Sequence, residues 1–163
     1  MRTGFFTRGR NGEAQFGLRP ALQSDYGFAL ALYLEGANKH LSKIGRWDER
    51  RFVGLFDEGF RPEEIEIIGA GEKDIGFIQA IDFPDRLYLR QLHLIDGFRG
   101  RGIGTRLIES LFARARAAGK PVTLEVLHGN PAKGLYLRLG FKVTGEDPDK
   151  EHMVWGGPEK SEA

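Results

Sequence analysis

The chain has 163 residues, with 24 lysines and arginines against 23 aspartates and glutamates, and a formal net charge of +1. This length predicts one domain with a full hydrophobic core, and the balanced charge excludes a general electrostatic preference for nucleic acid or anionic membrane. Cysteine is absent, which excludes disulfides, thiolate metal sites and a cysteine nucleophile.

The predicted domain covers residues 16–157, between a tail rich in glycine and arginine at residues 1–15 and a short tail at residues 158–163. No apolar run is long enough to span a bilayer and no signal-peptide pattern is present, so we expect a cytoplasmic protein without a membrane partner. The four histidines lack metal-ligand spacing, so no metal site is expected. The sequence leaves homodimer formation open.

The first half of the chain is predicted to hold a strand, two helices and then two strands. Ser24 or Asp25 is placed to cap the first helix. A hairpin turn is expected at residues 71–74, because Gly71 opens a short polar segment between two apolar runs. The predicted strands cover residues 16–21, 65–70 and 75–83, and the predicted helices cover about residues 25–41 and 47–57.

The strand that follows changes the parity of its apolar positions. Leu87 and Leu89 occupy odd positions, whereas Leu92 and Leu94 occupy even ones. Because side chains alternate with a period of two along a strand, this change requires one inserted residue. We therefore predict a β-bulge at Arg90–Gln91. Bulges free backbone groups from the ladder and are frequent beside active sites.

A glycine-rich turn joins this strand to a helix. The N–H groups of a first helical turn have no internal partner and the helix dipole is positive there, so such a turn suits a phosphate or pyrophosphate. A turn that needs glycine only for its geometry is the alternative. The spacing excludes a Walker A loop, which needs Gly-Lys-Ser/Thr, and a Rossmann fingerprint. The turn reads Arg99, Gly100, Arg101, Gly102, Ile103, Gly104, Thr105.

The remaining elements complete the predicted fold. Asn130 is placed as the N-cap of a short helix, with Pro131 as its first residue. The order β-α-α-β-β-β-α-β-α-β-β predicts a mixed α/β (α+β) fold with a twisted, mostly antiparallel central sheet and helices on both faces. A strand is expected at residues 122–126 and a final hairpin at residues 141–145 and 152–155. The helix over residues 102–118 should bury Ile103, Leu107, Ile108, Leu111 and Phe112.

Two motifs make the chain resemble the GNAT superfamily of N-acetyltransferases. Arg99-x-x-Gly102-x-Gly104 is similar to the family's Arg/Gln-x-x-Gly-x-Gly/Ala pyrophosphate loop. The segment from Asn130 through Tyr136 to Phe141 is similar to the family's gapped pattern Asn-…-Ala-…-Leu-Tyr-…-Gly-Phe. The resemblance covers about residues 16–155 and implies the GNAT fold.

The resemblance also implies acetyl-CoA as the co-substrate and a primary amine as the acceptor, either on a small molecule or at a peptide N-terminus. Pantetheine would lie between the bulged strand and the strand at residues 122–127, which would splay apart. A backbone N–H near Leu92, His93 or Leu94 would polarise the thioester carbonyl. The pyrophosphate contacts would fall on residues 99–105. Without cysteine, direct attack by the amine is favoured over an acyl-enzyme.

Tyr136, Asn130 and Glu125 are candidates for roles at the site on the same grounds, and His93 is a candidate because its ordinary pKa suits a base. Tyr136 would give a hydrogen bond or a proton to the departing thiolate, with a core tyrosine as the alternative. Asn130 either touches the cofactor or serves only as an N-cap. Glu125 resembles the glutamate that ribosomal-protein N-terminal acetyltransferases use as a base through water, with an ion pair as the alternative. His93 is the rival base, although a structural histidine is favoured at its position.

Two other functions stay open at this point. A non-catalytic acyl-CoA-binding regulatory or interaction domain would keep the pyrophosphate loop and need no acid or base. RNA binding through Arg8, Arg10, Arg99 and Arg101 is a weaker alternative, and the charge balance argues against a nucleic-acid partner.

Overall fold

The computed structural model describes residues 15–156, which form seven strands and four α-helices. The strands are joined in the order β1-β2-β3-β4-β5-β7-β6. The predicted element order and the mostly antiparallel mixed sheet are confirmed. The elements are β1 (Gly17–Pro20), α1 (Tyr26–Leu41), α2 (Glu49–Gly59), β2 (Ile65–Ala70), β3 (Lys73–Asp82), β4 (Leu87–Leu94), α3 (Ile103–Ala118), β5 (Val122–Leu127), α4 (Ala132–Arg138), β6 (Lys142–Glu146) and β7 (Lys150–Trp155).

Apart from Gln15, the predicted tails at residues 1–15 and 158–163 lie outside the described residues. Within residues 15–156, none of the helices has the length and apolar character needed to cross a membrane.

The described chain falls into two compact units, and β3 and β4 pass from one into the other. The first unit holds residues 15–79 and 91–104, and the second holds residues 80–90 and 105–156. In the first unit, α1 and α2 pack on β2 and β3. Their common core is apolar and includes Ala29, Leu32, Phe56, Ile67 and Phe77.

The helix starts of the first unit are set by contacts that the sequence only partly predicted. Asp25 stands at the N-cap of α1, but its carboxylate accepts the Leu22 N–H at 2.8 Å and binds both terminal nitrogens of Arg19 at 2.8 and 2.9 Å. The predicted cap of α1 by Asp25 is therefore wrong. By contrast, Asp48 does cap α2, because it accepts the Arg51 N–H at 3.1 Å, and α2 starts two residues later than predicted.

β4 holds one residue more than the stretch of β3 that it faces. At one end of this hairpin the Phe83 N–H donates to the Arg86 carbonyl at 2.9 Å, and at the other end the Ile95 N–H donates to the Ile75 carbonyl at 2.8 Å. Between these two bonds the β4 side of the chain is longer by a single residue, as a one-residue bulge requires.

The second unit is built around β5. Residues Leu87–Leu89 of β4 pair in parallel with Val122–Leu124, and β5 then pairs with β7 in antiparallel register along its length. The Phe112 ring of α3 stacks on Trp155 of β7 with centroids 3.7 Å apart. The apolar stripe predicted for α3 is confirmed, because Ile103, Leu107, Ile108, Leu111 and Phe112 are all buried.

Candidate active site

The glycine-rich loop has a backbone conformation that glycine adopts most readily. Gly100 and Gly102 have φ angles of 73° and 83°, in the left-handed region. α3 begins at Ile103, one residue later than predicted, so Gly104 lies inside the helix. A Cβ built on Gly100 would meet nothing within 4 Å beyond its chain neighbours. The loop therefore has open space at Gly100, three residues before α3 begins.

Arg99 and Arg101 bring positive charge to this loop. Arg99 Nε donates to the Leu94 carbonyl at 2.9 Å, and its Nη1 lies 2.9 Å from Asp96 Oδ1. The Arg101 guanidinium carbon lies 5.0 Å from the centre of the Phe98 ring. Arg99 therefore holds the loop together as well as carrying charge.

The cations near the loop also lower the pKa values of two histidines, after burial as the larger cause. Burial, and to a smaller extent the charge of Arg99, lower the pKa of His93 to about 4. Burial also lowers the pKa of His40, with further contributions from Lys39, Lys43 and Arg99. Neighbouring cations disfavour protonation of an imidazole, and by the same field they favour an anion. Binding of the coenzyme's pyrophosphate by this loop stays a prediction.

The backbone of β4 directs donors away from β3. The Ile95 N–H is bonded to Ile75 of β3. Because N–H directions alternate along a strand, the N–H and carbonyl of Leu94 face the opposite edge, as does the N–H of Leu92. The bond from Arg99 Nε to the Leu94 carbonyl agrees with this orientation. Of the three predicted donors, Leu92 and Leu94 face away from β3.

His93 packs as a structural residue. Its ring stacks on Phe77 with centroids 5.1 Å apart and meets Tyr33 edge-on at 6.1 Å. Its Nε2 lies 2.6 Å from Gln91 Oε1. Its carbonyl faces β3, where a Cβ built on Gly76 would lie 2.1 Å from the oxygen. The imidazole is therefore neutral at neutral pH but weakly basic, and its role as a base stays a prediction.

Glu125 is exposed on β5 and is ion-paired. Lys150 Nζ lies 3.2 Å from its Oε2, and Nδ1 of His152, its partner across the β5–β7 ladder, lies 3.4 Å from its Oε1. On the other side of the ring, His152 Nε2 lies 3.5 Å from Asp147 Oδ2. The ion pair that the sequence offered as an alternative is present, and a role for Glu125 as a base stays a prediction.

Asn130 caps α4, as predicted. Its Oδ1 accepts the Ala132 N–H at 2.9 Å, and its carbonyl accepts the Lys133 N–H at 3.1 Å. Pro131 has helical backbone angles but stands just before the first residue of α4. Asn130 therefore fixes where the helix begins, and a contact with the cofactor stays a prediction.

Tyr136 is held in place by the end of α4. The Phe141 N–H donates to the Tyr136 carbonyl at 3.0 Å, and the Gly140 N–H donates to the Leu137 carbonyl at 3.1 Å. With Gly140 at a φ of 103°, these two bonds form a Schellman motif. The rings of Tyr136 and Phe141 lie 5.7 Å apart. The Gly-Phe pair at the end of the motif thus fixes the position of the tyrosine.

The hydroxyl of Tyr136 is protonated and has no hydrogen-bond partner in the part of the chain that the structure describes. Tyr136 is buried, and burial raises its pKa to about 12. At neutral pH the phenol is therefore a hydrogen-bond donor. Since no described residue accepts from this hydroxyl, a bound ligand can.

The predicted residues divide between the two units. Residues 92–94 and the loop from Arg99 to Gly104 belong to the first unit, and Glu125, Asn130 and Tyr136 belong to the second. Sequence reasoning missed the side chains that hold the second group, namely Lys133, Asp147, Lys150, Glu151 and His152. The run of charged and polar residues at the start of β7, Lys150 to His152, was the available signal, but it does not identify partners across the sheet.

The chain matches known acetyltransferases in sequence. The profile described as "Acetyltransferase (GNAT) family" matches residues 29–141. The L-methionine sulfoximine/L-methionine sulfone acetyltransferase of Pseudomonas aeruginosa is 41% identical over 59 residues, which are 35% of this chain and 34% of that protein. An uncharacterized N-acetyltransferase of Methanocaldococcus jannaschii is 29% identical over 136 residues, covering 77% of this chain and 60% of that protein. The matched part of this chain thus spans less than two thirds of each relative.

The fold agrees with a solved structure. The PaiA N-acetyltransferase from Thermoplasma acidophilum, crystallised in complex with coenzyme A, superposes with a TM-score of 0.67 at 18% identity, covering 86% of this chain and 98% of that one. The predicted GNAT fold is therefore confirmed. The predicted coenzyme is confirmed at the level of the family, whose enzymes use acetyl-CoA.

Proposed function

Because the chain belongs to the GNAT acetyltransferase family, we propose that it transfers the acetyl group of acetyl-CoA to a primary amine by direct attack of the amine nitrogen. The observation that carries the proposal is Tyr136, a buried, protonated phenol whose hydroxyl is bonded to no described residue. It lies on α4, and backbone and cap hydrogen bonds hold both ends of that helix. A binding module without turnover has no need of such a donor.

The glycine-rich loop would make the contacts that bind acetyl-CoA. Backbone N–H groups from Arg101 to Thr105 would hold the pyrophosphate, because positive φ at Gly102 and the start of α3 present them together. Arg99 and Arg101 add a positive field. The N–H groups of Leu92 and Leu94 would hold the acyl end of the coenzyme, where one of them polarises the carbonyl.

Side chains of the second unit would accept the proton of the amine and donate to the leaving sulfur. When bound, acetyl-CoA supplies a thioester, whose C–S bond breaks as the C–N bond of the product forms. The attacking nitrogen must lose a proton, since an alkylammonium has a pKa of about 10.4. Glu125 accepts that proton through water in this proposal, and Tyr136 donates to the leaving sulfur. A phenol with a pKa of about 12 is a weaker acid than a thiol, so it gives a hydrogen bond before it gives a proton.

The acceptor is proposed only as a class. The absence of cysteine favours a direct attack over an acyl-enzyme. The similarity to the Pseudomonas aeruginosa enzyme, which covers 35% of this chain, supports free amino acids as one group of amines to test. Peptide N-termini and other small amines complete the set.

The test is turnover of acetyl-CoA with a panel of amines covering amino acids, polyamines, aminoglycosides and peptide N-termini. Because the protein has no thiol, a thiol reagent reports only released CoA. We expect release to depend on at least one amine and to yield its N-acetyl product by mass spectrometry. Binding of acetyl-CoA with no release against any amine would favour the non-catalytic acyl-CoA-binding domain instead.

A further inference from the structure

Glu151 is an acidic residue on an otherwise apolar face of β7. It lies on the same side of the strand as Met153, which is fully buried, whereas Lys150 and His152 lie on the other side with Glu125. The Glu151 side chain is 15% exposed. A carboxylate that is this enclosed needs a partner.

Two cationic or polar groups from the β5–α4 region surround this carboxylate. Lys133 Nζ, in the first turn of α4, lies 2.9 Å from Glu151 Oε2. His128 Nδ1, on the connection between β5 and α4, lies 3.8 Å from Glu151 Oε1, and its Nε2 lies 2.8 Å from the Asp147 carbonyl. Glu151 therefore ties both the helix and the segment leading into it to β7.

A gain in folding free energy does not explain why Glu151 is paired with Lys133. An enclosed ion pair gains little over apolar residues of the same volume, because desolvation offsets the Coulomb attraction. A carboxylate–ammonium contact instead has a direction, which an apolar contact lacks. α4 contains only 7 residues, too few to be stable alone, so its neighbours determine its orientation. Lys133 and Tyr136 are three positions apart and lie on adjacent sides of the helix.

We propose that Glu151, through Lys133 and His128, fixes the rotation of α4 and is thereby a positioning residue for the Tyr136 hydroxyl. This proposal rests on the proposed acetyl transfer, in which Tyr136 donates to the leaving sulfur. Glu151 itself touches neither substrate. Its loss would let α4 turn about its axis while the Asn130 cap and the Schellman motif still hold the ends.

The first experiment needs no ligand. Tyrosines labelled with ¹³C at Cζ give one NMR signal each, and Tyr136→Phe assigns the signal of Tyr136. Glu151→Gln keeps the volume of the side chain and removes its charge, and should shift or broaden that signal. Lys133→Gln should do the same, and Lys133→Arg should restore it. Lys120→Gln is the matched control, since it breaks the 2.7 Å pair with Asp82 in the same unit and should leave the signal unchanged.

The second experiment is a double-mutant cycle in kcat with the best amine from the panel. Glu151→Gln should lower kcat on the order of tenfold, within the range that a misplaced catalytic group costs, and leave the KM for acetyl-CoA within about twofold. In a Tyr136→Phe background, Glu151→Gln should have no further effect, because the hydroxyl that it positions is gone.

The inference is overturned by an unchanged Tyr136 signal in Glu151→Gln, by a parent kcat in Glu151→Gln, or by an equal loss in both backgrounds. If Tyr136→Phe slows turnover but Glu151→Gln does not, the positioning role fails and the proposed function stands. If Tyr136→Phe itself has the parent kcat with chemistry rate-limiting, the role of Tyr136 fails and the inference fails with it.

Discussion

At the scale of single residues, the proposed mechanism depends most on Tyr136, whose hydroxyl donates to the leaving sulfur. Tyr136→Phe keeps the ring, its contact with Phe141 and the Schellman motif, and deletes only the hydroxyl. We expect kcat to fall about ten- to a thousandfold, the range around the loss of a general acid. The affinity for acetyl-CoA should stay nearly intact by calorimetry. A parent kcat with chemistry rate-limiting would make Tyr136 a packing residue.

His93 makes stability depend on pH. Burial lowers its pKa to about 4 from the ordinary 6.5. Between these values the unfolded chain binds a proton that the folded chain does not, so stability rises with pH across this window and is lost as the pH falls through it. Within the window, each pH unit is worth up to about 1.4 kcal/mol.

Urea unfolding near pH 7 and near pH 5 measures this dependence. The parent should lose about 1–2 kcal/mol of unfolding free energy between the two conditions through His93. His93→Gln should lose less over the same interval, even if its stability near pH 7 is lower because the ring no longer stacks on Phe77. Equal losses in the two proteins would contradict a half-buried, neutral His93.

At the scale of elements, we propose that the backbone conformation of the glycine-rich loop is what allows acetyl-CoA to bind. Gly102→Val places a branched side chain at a φ of 83° and blocks the approach of the pyrophosphate to the N–H groups of α3. We expect no measurable acetyl-CoA binding by calorimetry, with helical circular dichroism retained. Arg99→Ala should be milder, because the main chain carries most of the binding.

Gly71→Val is the control for this substitution. Gly71 has a φ of 58° in the β2–β3 turn and open space around it, so the variant carries similar backbone strain without touching the loop. It should bind acetyl-CoA as the parent does. Unchanged affinity in a folded Gly102→Val protein would show that the loop is not the phosphate site.

The β3–β4 pair depends on a second glycine. A Cβ at Gly76 would lie 2.1 Å from the His93 carbonyl oxygen, a distance that requires the backbone to move. Gly76→Ala should therefore destabilise the fold by about 2 kcal/mol or more, since overpacking typically costs 1–3 kcal/mol. It should also disturb the neighbouring N–H groups of Leu92 and Leu94.

Gly27→Ala is the matched comparison for Gly76→Ala. Gly27 lies in α1, where an added Cβ would meet nothing within 4 Å, and alanine is the better helix former by about 1 kcal/mol. Urea unfolding should show Gly27→Ala to be at least as stable as the parent. If Gly76→Ala were equally stable, the close approach of β4 to β3 would be wrong.

At the scale of the whole molecule, the two candidate bases belong to different units. Glu125 is exposed and ion-paired in the second unit, whereas His93 is half-buried and weakly basic in the first. Glu125→Gln should lower kcat and remove the acidic limb of the pH–rate profile, and His93→Gln should keep that limb. The opposite pattern would reverse the two roles. An unchanged limb in both variants would mean that bulk water deprotonates the amine.

The order of the elements, the buried stripe of α3 and the places of the glycine turn, the Asn130 cap and Tyr136 follow from the amino-acid sequence alone. These features depend on periodicity, on backbone preferences of glycine and on contacts between residues a few positions apart. The parity change in β4 likewise needs only the period of a strand, and the extra residue of β4 follows from it.

Contacts between groups distant in sequence depend on the tertiary structure. In the folded chain β7 lies between β5 and β6. Asp25 binds Arg19 and does not cap α1. Glu125 and Glu151 pair with cations on other elements. A carboxylate carries no local signal of the cation that it will meet, because that choice depends on which faces pack together. Burial then raised the pKa of Tyr136 and lowered that of His93, since desolvation arises only when the chain encloses a side chain.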